Sequence, residues 1–530
     1  MLFVLVFQGK TGRPACLLGM IRYLLRMRYM PVITPFTYLP PAIDCQDATL
    51  VQALEQALPI QILLIAEDQK ETILAHPQLS GVNTLQALGK KAPFTLMQGN
   101  SLLLVVCVAG SVERDHRLYK QVRSWIAPLS GLKAERVGLH LEGFSASERG
   151  VLAELVLSTL LAANMPLPTS KSRSESSWSY QQVVVSPAVV LDLARIYSEA
   201  GGNGLARHLA VLPASELTAA NYREFLSQLA QEEGWHCLHY DQGQLAELGA
   251  GAFLAVARGS EDNQGAMVKL SYYPPKPVRR IALVGKGICH DSGGYNLKIS
   301  GSMYGMHLDM GGSAVALGTL YAISRAQLPY EVHCWLAIAE NHIGPHAYRP
   351  GEVVTAINGT TIEVVDTDAE GRMVLADTLA MAAQDTPDLL IDYATLTGAC
   401  KRALGSRYSG VFTNRTEWLV SLVNMGQRSG ERVWPFPLDE DYDDNIESEW
   451  ADLLQCAPGS SPDHIDAARF LSHFVPEQTP WLHFDLSGFR NKGGNGVVSS
   501  EVTGFGVRLT LDLLASPLGR TGRHSMEQPD

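Results

Sequence analysis

Four of the carboxylates in the stretch 286–372 stand where an apolar, strand-like run gives way to a glycine-rich turn or a helical pattern. These residues are Asp291, Asp309, Asp368 and Glu370, and Lys286 stands shortly before the first of them. In open α/β sheets, ligands bind beyond the carboxyl ends of the strands, so we expect these side chains to converge. Carboxylates gathered at one spot repel one another unless cations compensate their charge. Two divalent ions, held mainly by oxygen atoms, would neutralise them.

Each of these residues also has a plain structural interpretation. Asp309 precedes a helical pattern and is a candidate N-cap, and Lys286 could form a structural ion pair with Asp291. Neighbouring glycines would allow tight turns and close backbone approach in either case. They are Gly285, Gly287, Gly293, Gly294, Gly311, Gly312 and Gly371. The residues alone therefore indicate metal binding and leave the structural interpretation open.

Four motifs in this stretch resemble the signatures of the leucine aminopeptidase (cytosol aminopeptidase) family. They are VGKGICHDSGGYNLK, GMHLDMGG, DTDAEGRMVLAD and YATLTGA. Their key positions also keep the family's spacings of 5, 7, 11, 59, 2 and 2 residues, along Lys286, Asp291, Lys298, Asp309, Asp368, Glu370 and Arg372. The resemblance covers roughly residues 205–515 and is weaker before them. The sequence has no G-x-S-x-G, H-E-x-x-H or P-loop motif that would favour another hydrolase class.

The resemblance implies a metalloaminopeptidase that removes N-terminal residues from peptides with two divalent ions, Mn²⁺ or Zn²⁺. Asp291 and Glu370 would bridge the two ions. Lys286 and Asp309 would complete one metal site, and Asp368 the other. Lys286 would have to bind as a neutral amine, and a neighbouring dication would depress its pKa. One ion would bind the free α-amine of the substrate, which would restrict cleavage to the N-terminus.

The resemblance further implies that Lys298 and Arg372 are the catalytic pair. Lys298 would help to polarise the scissile carbonyl and stabilise the oxyanion. Arg372 would hold a bicarbonate ion that shuttles the proton. The side-chain pocket, expected to favour apolar residues such as Leu or Met, would be lined by Met306, Thr395, Leu396 and Gly398.

Some residues near the site depart from the family pattern. Asp366 stands where Asn is usual, and its charge could tighten metal binding, raise the pKa of a neighbour, or merely cap a turn. His290 could support a metal ligand or have no role at the site. Ser487 and Arg490 stand where relatives have Ala and Met. If Arg490 faces the pocket, we expect greater tolerance of acidic or polar N-terminal residues; the alternative is an exposed loop position.

The elements that must position these residues alternate between strands and helices, which predicts an α/β fold. We expect a smaller N-terminal α/β domain and a larger C-terminal catalytic α/β domain with a mixed, mostly parallel central sheet flanked by helices. The predicted divisions are an N-terminal domain over 31–185, a connecting helix over 186–212, a catalytic metallopeptidase domain over 213–515, and uncertain or disordered ends at 1–30 and 516–530.

Particular elements are also predicted within these domains. The connector is expected to break at Gly201-Gly202, and Asn358-Gly359 predicts a hairpin turn. Predicted strands cover 61–67, 101–109, 137–143, 281–285, 331–340, 388–394 and 481–488, and predicted helices cover 150–164, 312–326 and 371–383. The apolar start is soon interrupted by arginines, so it indicates neither a membrane span nor a signal peptide. An upstream start codon, with the fold beginning from Met27 or Met30, is an alternative.

Composition limits the partners. The net charge of −12 disfavours attraction to nucleic acid and to anionic membranes. The eight cysteines are scattered, which indicates a reducing cytoplasm. The family resemblance adds peptide substrates and a homohexamer formed as a dimer of trimers. The competing hypothesis is a catalytically inactive relative that acts as a binding or structural protein; the loss of a metal ligand would favour it, and none is lost.

Overall fold

The computed structural model describes residues 33, 35–79, 93–129, 132, 134–172, 180–260, 264–459 and 462–520. The predicted end 1–30 and the last ten residues of the predicted tail lie outside this part of the chain. The start of that tail is helical over Pro517–Arg520. The guanidinium of Arg279 donates hydrogen bonds to the carbonyls of Leu518 and Gly519 (3.1 and 2.7 Å), which fixes this short segment.

A six-stranded sheet is formed by the first part of the described chain. Its strands are β1 (Ala42–Cys45), β2 (Ile60–Ala66), β3 (Phe94–Gln98), β4 (Ser101–Val108), β5 (Arg136–Glu142) and β6 (Gln182–Ser186). They lie in the order β1-β6-β5-β2-β4-β3, and all neighbours are parallel except β3 and β4. Every residue of β2 is buried, as expected for a central strand covered on both faces.

An eight-stranded sheet forms the larger part of the molecule. Its strands are β7 (His236–Asp241), β8 (Ala266–Tyr272), β9 (Arg279–Asp291), β10 (Tyr330–Asn341), β13 (Leu389–Ala394), β14 (Ser409–Thr413), β15 (Val433–Pro435) and β17 (Trp481–Asp485). The three remaining strands of this part of the chain form a separate small sheet: β11 (Val353–Thr355), β12 (Thr361–Glu363) and β16 (Leu453–Leu454). The order in the large sheet is β15-β14-β17-β13-β9-β10-β8-β7. The four central strands β17, β13, β9 and β10 are mutually parallel, and β14, β8 and β7 join antiparallel. The predicted mixed, mostly parallel α/β fold is confirmed.

Helices cover both faces of the large sheet. The α-helices of the described chain are α1 (Leu50–Glu55), α2 (Lys70–Leu74), α3 (His116–Ile126), α4 (Ala146–Asn164), α5 (Leu193–Ala210), α6 (Ala219–Glu233), α7 (Gln242–Glu247), α8 (Gly251–Ala257), α9 (Gly311–Arg325), α10 (Glu370–Gln384), α11 (Gly398–Leu404), α12 (Leu419–Ser429), α13 (Asp463–Ser472), α14 (Val507–Ala515) and α15 (Pro517–Arg520). One core joins the sheet to α5, α6, α9 and α14, and a second joins its other face to α8, α10 and α13. Within the described ranges, no helix is long and apolar enough to cross a bilayer.

The predicted break at Gly201-Gly202 is wrong, because α5 runs without interruption through both glycines. A Cβ atom on Gly202 would lie 2.2 Å from the carbonyl oxygen of Gly318 in α9, and a Cβ on Gly318 would lie 2.4 Å from that of Gly202. The glycines therefore let two helix backbones touch. They serve helix packing, and the usual cost of glycine within a helix is offset by this close contact.

The strand that leads into the site is longer than predicted. β9 has 13 residues and ends at Asp291, so the prediction that Lys286 follows the strand was wrong and the lysine lies inside it. Pairing with β10 on one side and β13 on the other extends the strand past Gly285. The predicted hairpin is present: β11 and β12 pair antiparallel, and Gly359 has a φ of +92° in the turn between them.

Candidate metal centre

Three buried side chains meet at the carboxyl end of the central strands. Lys286 comes from β9, Asp309 from the turn before α9, and Glu370 from the first residue of α10. The Nζ atom of Lys286 lies 2.9 Å from Oδ2 of Asp309 and 2.8 Å from Oε1 of Glu370. The plain N-cap interpretation of Asp309 was wrong, since Met310 occupies the N-cap of α9 and the Asp309 carboxylate points to Lys286.

A second lysine joins the other two carboxylates. Lys298 lies in the loop between β9 and α9, and its Nζ atom is 2.7 Å from Oδ2 of Asp291 and 2.5 Å from Oδ1 of Asp368. Asp291 is buried, whereas about a third (34%) of the Asp368 side chain is exposed. The five predicted metal ligands and Lys298 therefore form one continuous cluster that opens to solvent at Asp368.

The cluster has the donor atoms that a divalent cation requires. Asp291, Asp309 and Glu370 each offer an oxygen atom, and these atoms lie within 4.8 Å of one another. The second carboxylate oxygen of Glu370, Oε2, is buried and has no hydrogen-bond partner among the described residues. Burial raises the pKa of Asp309 to about 6, with a further contribution from the charge of Asp291, and the same two causes raise that of Glu370 well above its usual range. Bound cations would relieve this electrostatic cost, so the residues fit the expected metal site.

The charge state of Lys286 depends on the balance between its burial and the charges of the nearby carboxylates. Burial alone would lower its pKa, but Asp309, Glu370 and Asp291 outweigh burial and hold the pKa above its usual range. The ammonium form thus neutralises part of the cluster. Coordination by the neutral amine, which the family resemblance implies, would require a cation to take over that neutralising role.

Asn341 holds Asp291 in place and was missed by the sequence analysis. It ends β10, pairs with Asp291 across the sheet, and is buried. Its Nδ2 atom donates hydrogen bonds to Oδ1 of Asp291 (2.8 Å) and to the carbonyl of Thr367 (2.9 Å). The hydroxyl of Tyr348 donates to the same Thr367 carbonyl (2.9 Å). These contacts fix the segment just before Asp368, and their only signal in the sequence is the position of Asn341 at the end of a strand.

Three of the four predicted pocket residues lie beside Asp309 or Lys286. Met306 lies in the short 3₁₀ turn that immediately precedes Asp309. The hydroxyl of Thr395 donates to Oδ1 of Asp309 (2.8 Å), and its carbonyl accepts a hydrogen bond from Lys286 (3.1 Å). A Cβ at position 371 would lie 2.5 Å from Nζ of Lys286 and 2.9 Å from Leu396, so only glycine fits there. Gly398, the fourth predicted pocket residue, begins α11.

Arg372 lies two residues after Glu370 on α10 and is buried. Its Nη2 atom donates to Oδ1 of Asp463 (2.6 Å), and Nη1 donates to the carbonyl of Gln455 (3.3 Å). Asp463 was also missed by the sequence analysis, because it lies 91 residues away in the chain and belongs to no recognised motif.

The departures from the family pattern have mostly local roles. Oδ1 of Asp366 accepts a hydrogen bond from the backbone N–H of Asp368 (2.9 Å), so this residue caps a turn. The ring of His290 stacks on that of His342, with centroids 5.9 Å apart. Ser487 is buried and donates to the carbonyl of Tyr408 (2.8 Å).

Arg490 is partly exposed, at 41%, and pairs with Glu501 at 2.8 Å. It also lies close to the residue before Met306, because a Cβ on Gly305 would be 3.1 Å from its Nη1 atom. The structure thus gives Arg490 a partly exposed position beside Gly305, the residue before Met306.

The buried carboxylates and lysines at the carboxyl edge of this α/β sheet form a candidate metal site of the kind found where ligands bind in such folds. Comparisons with known proteins define it further. Residues 204–511 match the model of the cytosol aminopeptidase family, catalytic domain. The chain belongs to the cytosol aminopeptidase family and is a metalloaminopeptidase.

Individual relatives agree with this assignment. The chain is 41% identical over 331 residues to a probable cytosol aminopeptidase of Prochlorococcus marinus (strain MIT 9313), a match that spans 61% of this chain and 67% of that protein. It is 39% identical over 396 residues to a probable cytosol aminopeptidase of Synechococcus sp. (strain JA-2-3B'a(2-13)), spanning 72% of this chain and 77% of the relative. Among solved structures, the bottromycin maturation enzyme BotP in complex with Mn is similar, with a TM-score of 0.72, 30% identity and coverage of 86% of this chain and 99% of that one.

Proposed function

We propose that the protein hydrolyses the N-terminal peptide bond of peptides by means of two divalent ions and a water molecule that bridges them. The observation that carries this proposal is the charge of the cluster. Four carboxylates contribute −4 and two lysines +2, which leaves −2 in a largely buried site. Two dications would change this net charge of −2 into a net positive charge. A positively charged site can attract a substrate carbonyl and stabilise the oxyanion that develops on it.

The ligands divide into two groups by the lysine that contacts them. Lys286 lies between Asp309 and Glu370, and Lys298 between Asp291 and Asp368. This division supports two metal positions with Asp291 and Glu370 between them. Bound ions of this kind make a water molecule a nucleophile near neutral pH.

Lys298 remains available to the substrate. Its ammonium group is held by Asp291 and Asp368 at the exposed end of the cluster. There it would donate a hydrogen bond to the scissile carbonyl oxygen and stabilise the negative charge that develops on it. The residues around Asp309 (Met306, Thr395, Leu396 and Gly398) would contact the first side chain of the peptide and favour apolar residues such as Leu or Met.

Manganese is the metal that we propose first, with zinc as the alternative. The oxygen-rich ligand set suits Mn²⁺, and the similar enzyme BotP was solved in complex with Mn. We further propose a cytoplasmic location, as the names of the relatives suggest, and a homohexamer formed as a dimer of trimers. The net charge of −12 argues against a partner nucleic acid. We also propose that the N-terminal domain ends at residue 185 and that the connecting helix ends at residue 212.

The proposal is tested with a pair of peptides. The protein, loaded with Mn²⁺, is incubated with a peptide that begins with Leu and with the same peptide acetylated at its N-terminus, and the products are identified by mass spectrometry. We expect release of free Leu from the first peptide and no cleavage of the second, because a metal ion would bind the free amine. Internal cleavage, or equal cleavage of both peptides, would refute the proposal.

A further inference from the structure

We propose that Asp463 is the general base that moves the proton during peptide hydrolysis, and that it occupies the anion-binding face of Arg372 from within the protein. This inference rests on the proposed function. It departs from the family resemblance, which implies a bicarbonate ion at the same guanidinium.

Asp463 lies between two elements of the site. It is the first residue of α13, a helix that packs against both α10 and α11. α10 begins with the metal-ligand candidate Glu370, and α11 begins with the pocket residue Gly398. Asp463 therefore lies on a third element, which packs against the helices that carry Glu370 and Gly398.

The carboxylate of Asp463 contacts Arg372 directly. Oδ1 of Asp463 lies 2.6 Å from Nη2 of the guanidinium, as in a short charge-assisted hydrogen bond. The Arg372 side chain is only 3% exposed, whereas that of Asp463 is 33% exposed. The carboxylate thus neutralises a buried cation with one oxygen and is itself partly exposed to solvent.

Neighbouring groups hold this arrangement rigidly. The carbonyl of Gln455 accepts a hydrogen bond from Nη1 of Arg372, while its amide nitrogen donates to the carbonyl of Ala369 (3.0 Å). Its amide oxygen accepts from the backbone N–H groups of Val365 and Asp366, both at 3.0 Å. Gln455 thereby couples Arg372, through its backbone carbonyl, to the loop that carries Asp368, through its side-chain amide.

A second nearby carboxylate, that of Asp485, is already engaged. Asp485 is buried, its Oδ1 accepts from the backbone N–H of Leu396 (3.2 Å), and its Oδ2 accepts from the hydroxyl of Thr397 (2.6 Å). Asp463 has the exposure that proton transfer requires. Burial acts to raise its pKa, but Arg372 outweighs burial and holds the pKa below its usual range. The group is therefore ionised at neutral pH and releases a captured proton readily.

The proposed step conserves atoms and protons. The attacking water forms a bond from its oxygen to the scissile carbonyl carbon and gives a proton to Asp463. The C–N bond then breaks, and Asp463 passes the same proton to the departing amine nitrogen. No oxidant, reductant or external base is consumed. General acid–base catalysis of this kind contributes about 10²–10⁴-fold to a rate.

The test combines kinetics with a binding measurement that needs no turnover. Wild-type protein, Asp463→Asn and Asp463→Ala are assayed in buffer free of carbon dioxide, with and without bicarbonate, and bicarbonate binding is followed by ¹³C NMR. We expect wild-type kcat to be unaffected by bicarbonate and to fall about 10²–10⁴-fold in both variants. Bicarbonate should restore part of the activity of Asp463→Ala, which leaves room beside Arg372, and should bind that variant but not the wild type.

Asp443→Ala is the matched control. Asp443 forms a bidentate ion pair with Arg469, which also lies on α13 (2.7 and 2.6 Å), so its loss perturbs the same helix away from Arg372. We expect this variant to keep its kcat and its indifference to bicarbonate. Asp463→Asn retains an acceptor oxygen for Arg372, so high activity in this variant would show a purely structural role and overturn the proposal.

Two further results would overturn it: stimulation of the wild-type enzyme by bicarbonate, or binding of bicarbonate to the wild type in the NMR experiment. The two proposals fail in different ways. If the metal-loaded wild type cleaves no peptide, the proposed function fails. The NMR comparison of wild type with the Asp463 variants still decides which anion occupies Arg372.

Discussion

Replacing Glu370 with glutamine should separate the stability of the fold from its stabilisation by metal. The side chain is buried, and Oε1 lies 2.8 Å from Nζ of Lys286. Leaving a buried charge without a partner costs about 3–5 kcal/mol. Lys286, however, keeps Asp309 at 2.9 Å and the Thr395 carbonyl at 3.1 Å. The cluster also loses one repulsive charge, so we expect the metal-free protein to lose well under about 3 kcal/mol.

The effect on metal binding should be much larger. At a free Mn²⁺ concentration of 100 Kd, a single site stabilises the native state by about 2.7 kcal/mol. If the loss of a bridging carboxylate weakens affinity 100-fold, the same concentration contributes only RT ln 2, about 0.4 kcal/mol. The predicted catalytic domain, 213–515, has about 300 residues, and at an unfolding entropy of about 2.1 cal/mol/K per residue each kcal/mol shifts its Tm by about 1.6 °C. A shift of roughly 4 °C in the wild type should therefore shrink to less than about 1 °C in Glu370→Gln.

Thermal unfolding after chelation, followed by titration with Mn²⁺, measures both quantities in one experiment. The matched control is Glu431→Gln, because Glu431 is equally buried but binds the backbone N–H groups of Gly506 and Leu509 at the start of α14. This control should keep the full Mn²⁺-dependent shift. Retention of that shift in Glu370→Gln would refute the assignment of Glu370 as a metal ligand.

Three other side chains can be tested separately. Asn341→Ala frees Asp291 and should weaken Mn²⁺ binding about 10–100-fold by calorimetry; unchanged affinity would show that Asn341 does not position this ligand. Burial raises the pKa of Glu431 to about 8 in the folded protein, so its stabilising contribution is complete below the ordinary glutamate pKa and is lost as pH rises through 8. As pH rises from the ordinary glutamate pKa to 8, the Tm of the wild type should accordingly fall more steeply than the Tm of Glu431→Gln. Parallel curves of Tm against pH for the two proteins would contradict this reasoning. Because an exposed ion pair is worth about 0–1 kcal/mol, Arg490→Met should change the ratio of Leu- to Glu-anilide hydrolysis less than about fivefold; a larger change would place Arg490 inside the pocket.

The metal cluster could be predicted from the sequence because its members stand in motifs that resemble the family signatures and fall at element boundaries. Asp291 ends β9, while Asp309 and Glu370 stand at the starts of helices, so the topology of a parallel sheet brings them to one edge. The α/β fold could be predicted for the same reason, since buried strands and helices have different periodicities.

The residues that the sequence did not reveal act through contacts between distant segments. Asn341 reaches Asp291 across 50 residues, and Asp463 reaches Arg372 across 91. Neither belongs to a local motif, and each has an ordinary structural role in most sequences. Gly201-Gly202 was misinterpreted because a glycine pair looks the same in sequence whether it ends a helix or allows α5 to contact another helix.

Metal titration of the metal-free enzyme tests the central claim most directly. The protein is stripped of metal by chelation, and Leu-anilide hydrolysis is measured as Mn²⁺ or Zn²⁺ is added in known equivalents per chain. The four carboxylates and two lysines predict no activity without metal and full activity at two equivalents. Activity that survives complete metal removal, or that never appears with either ion, would contradict the two-metal aminopeptidase mechanism.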